Sequence, residues 1–232
     1  MESEGARKDA GPVKVQVAVP SRNPVGYDLC GGLALGLAKM QQNPRYDVEI
    51  RMQSGFGVEL VRNRIVGEFL RTDREYLLMI DDDMVPPEDL LDMTVHGRDV
   101  VGALYYAWDP RKGPFVAAYD RGEDGGYGAL TPGEVERQGL REVALVGGGC
   151  LLVHRRVLEA LSPPWFRFET DGEGRRILTP EDFFFCRNAV AGGFRVFLDT
   201  DRICGHIKAV DLRDVVALTT ARRREALFDL LE

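Results

Sequence analysis

The chain has 232 residues, of which 44% are hydrophobic and 29% charged, and these proportions are typical of a soluble globular protein. At this length folding buries roughly 70–75% of the surface of the unfolded chain, so one hydrophobic core suffices without disulfides or a structural metal. The net charge of −7 excludes a chain-wide cationic field that would hold nucleic acid or anionic lipid.

The ends of the chain and its cysteines indicate a compartment. The apolar runs are far shorter than the roughly 20 residues of a membrane helix, so no membrane span is expected. Residues 1–12 are polar and lack the apolar stretch of a secretory signal; we expect a disordered leader and a cytoplasmic protein. The four cysteines stand far apart, which favours reduced structural thiols over a zinc site.

The first hundred residues alternate predicted strands and helices. Val13, Val15, Val17 and Val19 occupy every second position and predict a strand that ends at Pro20. The elements predicted next are a helix over 27–41, a strand over 46–52, a helix with the apolar stripe Val58, Val61, Ile65 and Phe69, a buried strand over 76–80 and a helix over 87–93. This alternation favours an α/β fold with a mostly parallel central sheet and helices on both faces, which binds ligands beyond the carboxyl ends of its strands.

The second half begins with a region rich in turns. Gly and Pro are frequent over 109–139, where short segments such as 114–119 indicate hairpins. The elements predicted after it are a strand over 144–153 interrupted by three glycines, a helix over 155–161, a helix over 181–191, a strand over 194–198 and a charged helix over 212–231.

Three consecutive carboxylates, Asp81, Asp82 and Asp83, follow the buried strand over 76–80. Like charges this close repel unless a cation or hydrogen-bond donors neutralise them, and hard cations such as Mg²⁺ or Mn²⁺ prefer oxygen ligands. A solvated acidic turn before a helix is the alternative. The spacing of Asp81, Asp83 and Val85 also matches phosphohydrolases of the haloacid dehalogenase group, which normally carry this motif on their first strand.

A set of motifs in a fixed order is more specific than any one of them. The motifs are VAVPSRN, ELVRNRIVGEFL, YLLMIDDDMVPP, GGGCLLVHRRVLEAL, PPWF, EDFFFCRNAVAGGFRVFLDT and CGHI. In this order the chain resembles family 2-type glycosyltransferases of the GT-A fold over residues 13–207. The resemblance implies a GT-A domain over 13–210, followed by a C-terminal helix over 211–232.

The same resemblance implies a nucleoside-diphosphate sugar donor, a divalent cation (Mn²⁺ or Mg²⁺) at its diphosphate, and an acceptor. By position, Pro20, Ser21 and Arg22 would hold the nucleoside. Arg62 and Asn63 match an Arg-Asn pair beside the nucleotide or donor sugar; polar capping of an exposed helix face is the alternative.

Two further segments match the part of the family motif that borders the sugar. Gly148 and Gly149, with Gly147, would let the backbone approach donor or acceptor; the alternative is a bulged strand. Trp165 in the PPWF turn would stack on a sugar ring, and core packing is the alternative.

The resemblance also assigns the chemistry. Asp83 and His206 would ligate the cation, with Asp81 contacting the ribose or a metal-bound water. Asp182 would be the general base of an inverting transfer and Glu181 would orient the acceptor; spacing leaves retention open. A non-catalytic nucleotide-sugar binding protein is a further alternative.

The acceptor is left open by the sequence: a saccharide, a small molecule, a protein or a modified nucleic-acid base. The last would need a basic patch, for which Arg155, Arg156 and residues 222–224 are the candidates, although solvated helix faces are the commoner role of such residues.

Overall fold

The computed structural model describes residues 11–22, 30–109, 111, 113–135 and 138–228, with side chains as far as Ala221. Most of the predicted leader, the start of the predicted helix at 27–29 and the last predicted helical residues, 229–231, lie outside the described residues.

The first part of the chain contains strands and helices close to the predicted bounds. These are β1 (Val13–Ser21), α1 (Gly31–Gln42), β2 (Tyr46–Ser54), α2 (Val58–Phe69), β3 (Tyr76–Ile80), β4 (Met84–Val85), a 3₁₀ helix (Leu90–His96) and β5 (Val100–Leu104).

The middle of the chain forms short strands and hairpins. These are β6 (Tyr106–Asp109), β7 (Gly113–Val116), β8 (Ala118–Arg121), β9 (Tyr127–Ala129), a 3₁₀ turn (Pro132–Glu134), β10 (Leu140–Val143) and β11 (Leu145–Val146). The turn-rich composition therefore predicted this region correctly.

The last part returns to longer elements. These are β12 (Cys150–His154), α3 (Arg155–Ala160), β13 (Glu169–Thr170), β14 (Ile177–Thr179), α4 (Glu181–Ala191), β15 (Val196–Ile203), β16 (Gly205–His206) and α5 (Leu212–Phe228).

The central sheet of the described residues has seven strands in the order β10-β15-β5-β12-β3-β1-β2. Strands β1, β2, β3, β5 and β15 run in one direction, whereas β10 and β12 run against them. The sheet is thus mostly parallel, as the alternating pattern predicted. Because β12 is reversed, its first residue lies at the edge where β3 ends: Cys150 pairs with Ile80.

The two faces of this sheet carry separate hydrophobic clusters. On one face α2, α3 and α4 bury residues such as Ile65, Val157 and Phe185 against Leu77 and Leu151. On the other face α1 and the 3₁₀ helix Leu90–His96 pack against the alternate residues of the same strands. All four positions of the predicted α2 stripe are buried, since they lie on the side of the helix that faces the sheet.

Three predicted elements differ from the structure. The strand predicted over 194–198 is β15, which begins at Val196 and continues to Ile203. The helix predicted over 87–93 is the 3₁₀ helix Leu90–His96, because residues 86–89, which include Pro86 and Pro87, form an irregular turn. The strand predicted over 144–153 is divided at Gly147–Gly149: β11 pairs with β8, and β12 enters the central sheet. Among the described residues, no helix is both long and apolar enough to cross a membrane.

Candidate active site

The acidic turn opens a cleft at the carboxyl edge of the sheet. Asp81, Asp82 and Asp83 leave β3 at this edge and line a cleft of about 300 Å³. Its other lining residues are Pro20 and Arg22 at the end of β1, Val58 at the start of α2, and Lys208. The structure thus brings the end of β1 and the acidic turn together at one edge of the sheet. Ser21, which was also predicted to hold the nucleoside, is buried, and its backbone carbonyl accepts a hydrogen bond from the N–H of Gly55.

A two-residue strand pair joins the acidic turn to His206. Strand β16 runs antiparallel to β4, with His206 opposite Met84. The backbone N–H of Ile207 donates to the carbonyl of Asp83 over 2.9 Å. As a result His206 Nε2 lies 3.4 Å from Asp83 Oδ2, although 123 positions separate them in the chain. The two side chains that were predicted to share a cation therefore lie side by side.

The other ring nitrogen of His206 determines what Nε2 can bind. Nδ1 lies 2.9 Å from the carbonyl oxygen of Tyr106, and a carbonyl can only accept a hydrogen bond. When the ring carries one proton, that proton is therefore on Nδ1, and the lone pair of Nε2 is directed toward Asp83, where a cation between them could bind it; when Nε2 also carries a proton, it donates to Asp83 instead. An imidazole lone pair and a carboxylate oxygen facing one another are a donor set that suits Mn²⁺.

The chain supplies only part of a coordination sphere. Within the described ranges, no group of three His, Cys, Asp or Glu side chains is arranged to hold a metal ion. Asp83 and His206 fit a cation that takes its remaining ligands from a diphosphate and water. They do not form a closed structural metal site.

Asp83 is strongly held in its charged form. Burial alone would raise its pKa, but hydrogen bonds from His206 and Lys208 outweigh burial and lower the pKa to about 2. The ammonium of Lys208 forms an ion pair with Asp83 Oδ2. Lys208 was not among the predicted site residues; its position two residues after His206 was the available signal.

Arg62 lies beneath the cleft and connects two acids. Its side chain is 2% exposed, Nη2 donates to Asp81 Oδ1 over 2.8 Å, and Nη1 lies 3.5 Å from Glu181 Oε1. Burial by itself lowers the pKa of Arg62, but the charges of Asp81 and Glu181 outweigh it and raise the pKa. A direct contact of Arg62 with the donor stays a prediction. The structure shows a buried cation that positions Asp81 and Glu181.

The two acids share this single guanidinium. Burial raises the pKa of Asp81, against the charge of Arg62, and burial likewise raises the pKa of Glu181. Nε and Nη1 of Arg62 are buried without a hydrogen-bond partner among the described residues. The position of the guanidinium therefore depends on its hydrogen bond to Asp81, on charge and on close packing.

The glycine segment packs directly on this arginine. A Cβ on Gly148 would lie 1.7 Å from Arg62 Nη1, and a Cβ on Gly149 would lie 2.9 Å from the ring of Tyr105. The carbonyl of Gly149 accepts the N–H of Asp81 over 2.9 Å. These glycines permit close approach to side chains of the site itself, while an approach to donor or acceptor stays a prediction.

The predicted base is adjacent to this segment. Asp182 stands in the first turn of α4, where the helix dipole favours a carboxylate. Its Oδ2 accepts the N–H of Gly148 over 2.9 Å and its Oδ1 accepts the N–H of Phe183 over 2.9 Å. These two bonds fix the carboxylate and leave further lone pairs for an acceptor hydroxyl.

Tyr105 is a site residue that the sequence analysis did not identify. It follows β5 at the same edge of the sheet, and its hydroxyl accepts the N–H of Gly149 over 3.1 Å. Burial, followed by the charge of Asp182, raises its pKa well above the usual value, so the hydroxyl stays protonated. Its ring also packs edge-on to His206, with 5.3 Å between centroids.

Asn63 and Trp165 are engaged with each other. Oδ1 of Asn63 accepts the N–H groups of Trp165 and Phe166, and Nδ2 donates to the carbonyl of Phe166. The indole N–H of Trp165 donates to Leu158 in α3 over 3.0 Å. Asn63 thus anchors the turn that follows the cis bond between Pro163 and Pro164. The donor and sugar-stacking roles of these two residues stay predictions.

The candidate basic patch has structural partners. Arg155 donates to the carbonyls of Phe69, Thr72 and Arg74 around the end of α2, so its guanidinium is bound to the protein and is not simply solvated. Arg156 pairs with Asp99 at 2.7 Å. The side chains of 222–224 lie outside the described residues. A larger surface pocket, about 480 Å³, lies at the far end of α4 and contains none of the predicted site residues.

Comparison with solved structures identifies the fold. The chain superimposes on the crystal structure of A197 from STIV with a TM-score of 0.57 and 20% identity, covering 85% of this chain and 87% of that one. It also superimposes on GalNAc-T7, a GT-A glycosyltransferase crystallised with UDP, GalNAc and Mn²⁺, with a TM-score of 0.51 and 12% identity. That match covers 88% of this chain and 45% of GalNAc-T7. The fold is GT-A-like. No family model and no curated protein sequence matches the chain.

Proposed function

We propose that the chain is a metal-dependent glycosyltransferase that moves a sugar from a nucleoside-diphosphate donor to an acceptor hydroxyl with inversion. The observation that carries the proposal is the encounter of Asp83 and His206 in the cleft formed by the ends of β1 and β3. In a fold shared with GalNAc-T7, this is the edge at which open α/β sheets bind their ligands.

The proposed mechanism assigns roles to the residues of the cleft. Asp83 and His206 would hold the Mn²⁺ or Mg²⁺, which when bound neutralises charge on the departing diphosphate. Pro20 and Arg22 border the nucleoside, and Arg22 lies in the cleft as a cation that faces Asp81.

The acceptor hydroxyl gives its proton to a carboxylate oxygen of Asp182 as it attacks the anomeric carbon and the bond to the diphosphate breaks. The N–H of Gly148 and the N–H of Phe183 hold that carboxylate in one orientation. Glu181, which is buried against Arg62, fixes the first turn of α4 and therefore the position of Asp182.

A binding experiment tests the metal and donor sites without knowledge of the acceptor. The melting temperature is measured with a matrix of Mn²⁺, UDP and GDP, since a ligand that binds only the folded state raises it. We expect one diphosphate to stabilise the protein only with Mn²⁺, and Asp83→Asn to remove this effect. Asp82→Asn is the matched control, because it makes the same change of charge on the neighbouring residue. Equal stabilisation with and without Mn²⁺ would contradict the proposal.

A second experiment tests the chemistry. Nucleoside diphosphate release from a panel of nucleotide sugars is followed in the presence and absence of candidate acceptors of each class. Asp182→Asn should keep donor binding and lose transfer, and the anomeric configuration of the product by NMR distinguishes inversion from retention. Phosphate release that depends on Asp81 and not on Asp83 would favour a phosphohydrolase instead. Binding of a nucleotide sugar without any turnover would favour a non-catalytic binding protein.

A further inference from the structure

Lys208 places a cation on the carboxylate that the proposed metal would use. We propose that Lys208 is a built-in counter-ion: its ammonium neutralises Asp83 when no divalent cation is bound, and it pairs with the donor diphosphate once a cation has taken its place. This inference rests on the proposed function and assigns Lys208 a role in coupling metal binding to donor binding.

The two side chains that contact Asp83, those of His206 and Lys208, are held differently. His206 is fixed by its strand pairing with Met84 and by the bond from Nδ1 to Tyr106. Lys208 lies beyond the end of β16, and its side chain is 47% exposed. Asp83 is the acidic partner of the Lys208 ammonium among the described residues. A lysine side chain has a flexible stem, so the ammonium can leave Asp83 without movement of the backbone.

The charges in the cleft explain why an ammonium lies there. Three carboxylates, Asp81, Asp82 and Asp83, line it together with two cationic side chains, Arg22 and Lys208. Asp81 is already paired with Arg62 beneath the cleft. A divalent cation held between Asp83 Oδ2 and His206 Nε2 would bind the same oxygen as the Lys208 ammonium and would therefore displace it, leaving the ammonium free beside the proposed diphosphate site.

This arrangement has opposite consequences for two affinities. Without a nucleotide, Lys208 competes with the divalent cation and weakens its binding. With the nucleotide present, the same ammonium faces an anion and strengthens the binding of the metal–nucleotide pair. A residue with a purely structural role would change both affinities in the same direction.

The experiment compares the wild type with Lys208→Gln. Binding of Mn²⁺ alone is titrated by electron paramagnetic resonance, and binding of UDP and of GDP in saturating Mn²⁺ is titrated by calorimetry. We expect Lys208→Gln to bind Mn²⁺ alone about two- to five-fold more tightly, the range typical of a partly exposed ion pair, and the diphosphate about two- to five-fold more weakly.

Lys14→Gln is the matched control. Lys14 is 46% exposed and pairs with Asp73, but it lies at the amino end of β1, away from the cleft. This variant should leave both affinities as they are in the wild type. A general effect of the net charge on cation binding would instead appear in both variants.

The outcomes separate this inference from the proposed function. Mn²⁺ binding that needs Asp83 but does not change in Lys208→Gln would overturn the inference alone, as would a loss of affinity for both Mn²⁺ and the diphosphate. Absence of binding of Mn²⁺ alone to both proteins would also overturn the inference alone. Absence of Mn²⁺ binding even in the presence of a diphosphate, or binding that survives Asp83→Asn, would overturn both the metal site and the role of Lys208.

Discussion

Gly148→Ala should destabilise the fold through a single side chain, Arg62. The added Cβ would lie 1.7 Å from Arg62 Nη1 and 2.7 Å from its Cζ, whereas real Cβ contacts begin at more than 3 Å. The φ angle of Gly148 is not positive, so the backbone accepts alanine and the clash is the main effect. Arg62 must then move away from Asp81 and Glu181.

The magnitude follows from two costs. Forcing an extra methyl group into a packed site costs typically 1–3 kcal/mol. Displacing Arg62 also weakens its pairs with Asp81, at 2.8 Å, and Glu181, at 3.5 Å. Breaking a buried pair completely costs about 3–5 kcal/mol, and here displacement is partial. We therefore expect the free energy of unfolding to fall by about 2–4 kcal/mol.

Urea unfolding followed by circular dichroism measures this loss, and a double-mutant cycle assigns it to Arg62. In an Arg62→Ala background the clash partner is absent, so Gly148→Ala should cost at least about 1 kcal/mol less than in the wild type. Gly128→Ala is the control, because a Cβ at Gly128 meets nothing within 4 Å. Additive costs in the cycle, or a loss no larger than that of Gly128→Ala, would refute the reasoning.

Three other predictions concern the acid, the turn and the thiols. The pKa of Asp83 is about 2 in the folded protein and about 3.9 in an unfolded chain, so its contribution of about 2 kcal/mol to the free energy of unfolding is complete above about pH 5 and is lost as the pH falls through 2. Asp83→Asn should flatten the dependence of the free energy of unfolding on pH over this range, and an unchanged slope would contradict the ion pairs. Asn63→Ala should cost about 2–4 kcal/mol in urea unfolding because it leaves the N–H groups of the 165–166 turn without an acceptor, and a loss below 1 kcal/mol would show that water replaces it. With a thiol reagent in the native state, partly exposed Cys30 should react first, whereas burial raises the pKa of Cys186 to about 12 and keeps it unreactive until unfolding; fast labelling of Cys186 would contradict its burial.

The parts of the fold that the sequence predicted well are those whose residues report directly on burial. The apolar stripe of α2 predicted a helix that buries Val61, Ile65 and Phe69. The predicted bounds of α4, 181–191, agree with the structure because an acidic first turn and two following glycines mark its ends. The bounds of such elements can be predicted from the residues of the element itself.

The predictions are wrong where the structure depends on contacts with residues outside the predicted segment. The segment 144–153 is apolar throughout, so its composition could not show that β11 pairs with β8 while β12 enters the central sheet. A pattern within one segment contains no information about its neighbour. The 3₁₀ helix Leu90–His96 is a related case, since its residues are buried as a helical pattern requires but the two prolines before it delay the start.

In the site, too, some features were predictable from the sequence and others depend on tertiary contacts. The order of the motifs indicated that Asp83 and His206 meet, and the pairing of β16 with β4 provides the physical reason. Lys208 and Tyr105 lie outside those motifs, and their roles depend on which side chain each one reaches across the cleft. Only the tertiary structure contains those distances.

Arg62 illustrates why a motif predicts the location of a residue better than its partners. The Arg-Asn pair was assigned to the donor, and the structure does place Arg62 at the site, but with 2% of its side chain exposed. A buried guanidinium between Asp81 and Glu181 connects the acidic turn after β3 to the first turn of α4. Arg62 therefore fixes the position of the acidic turn, which carries the proposed metal ligands, relative to the helix turn that carries the proposed base, Asp182. A displacement of Arg62 should weaken metal binding and proton transfer together.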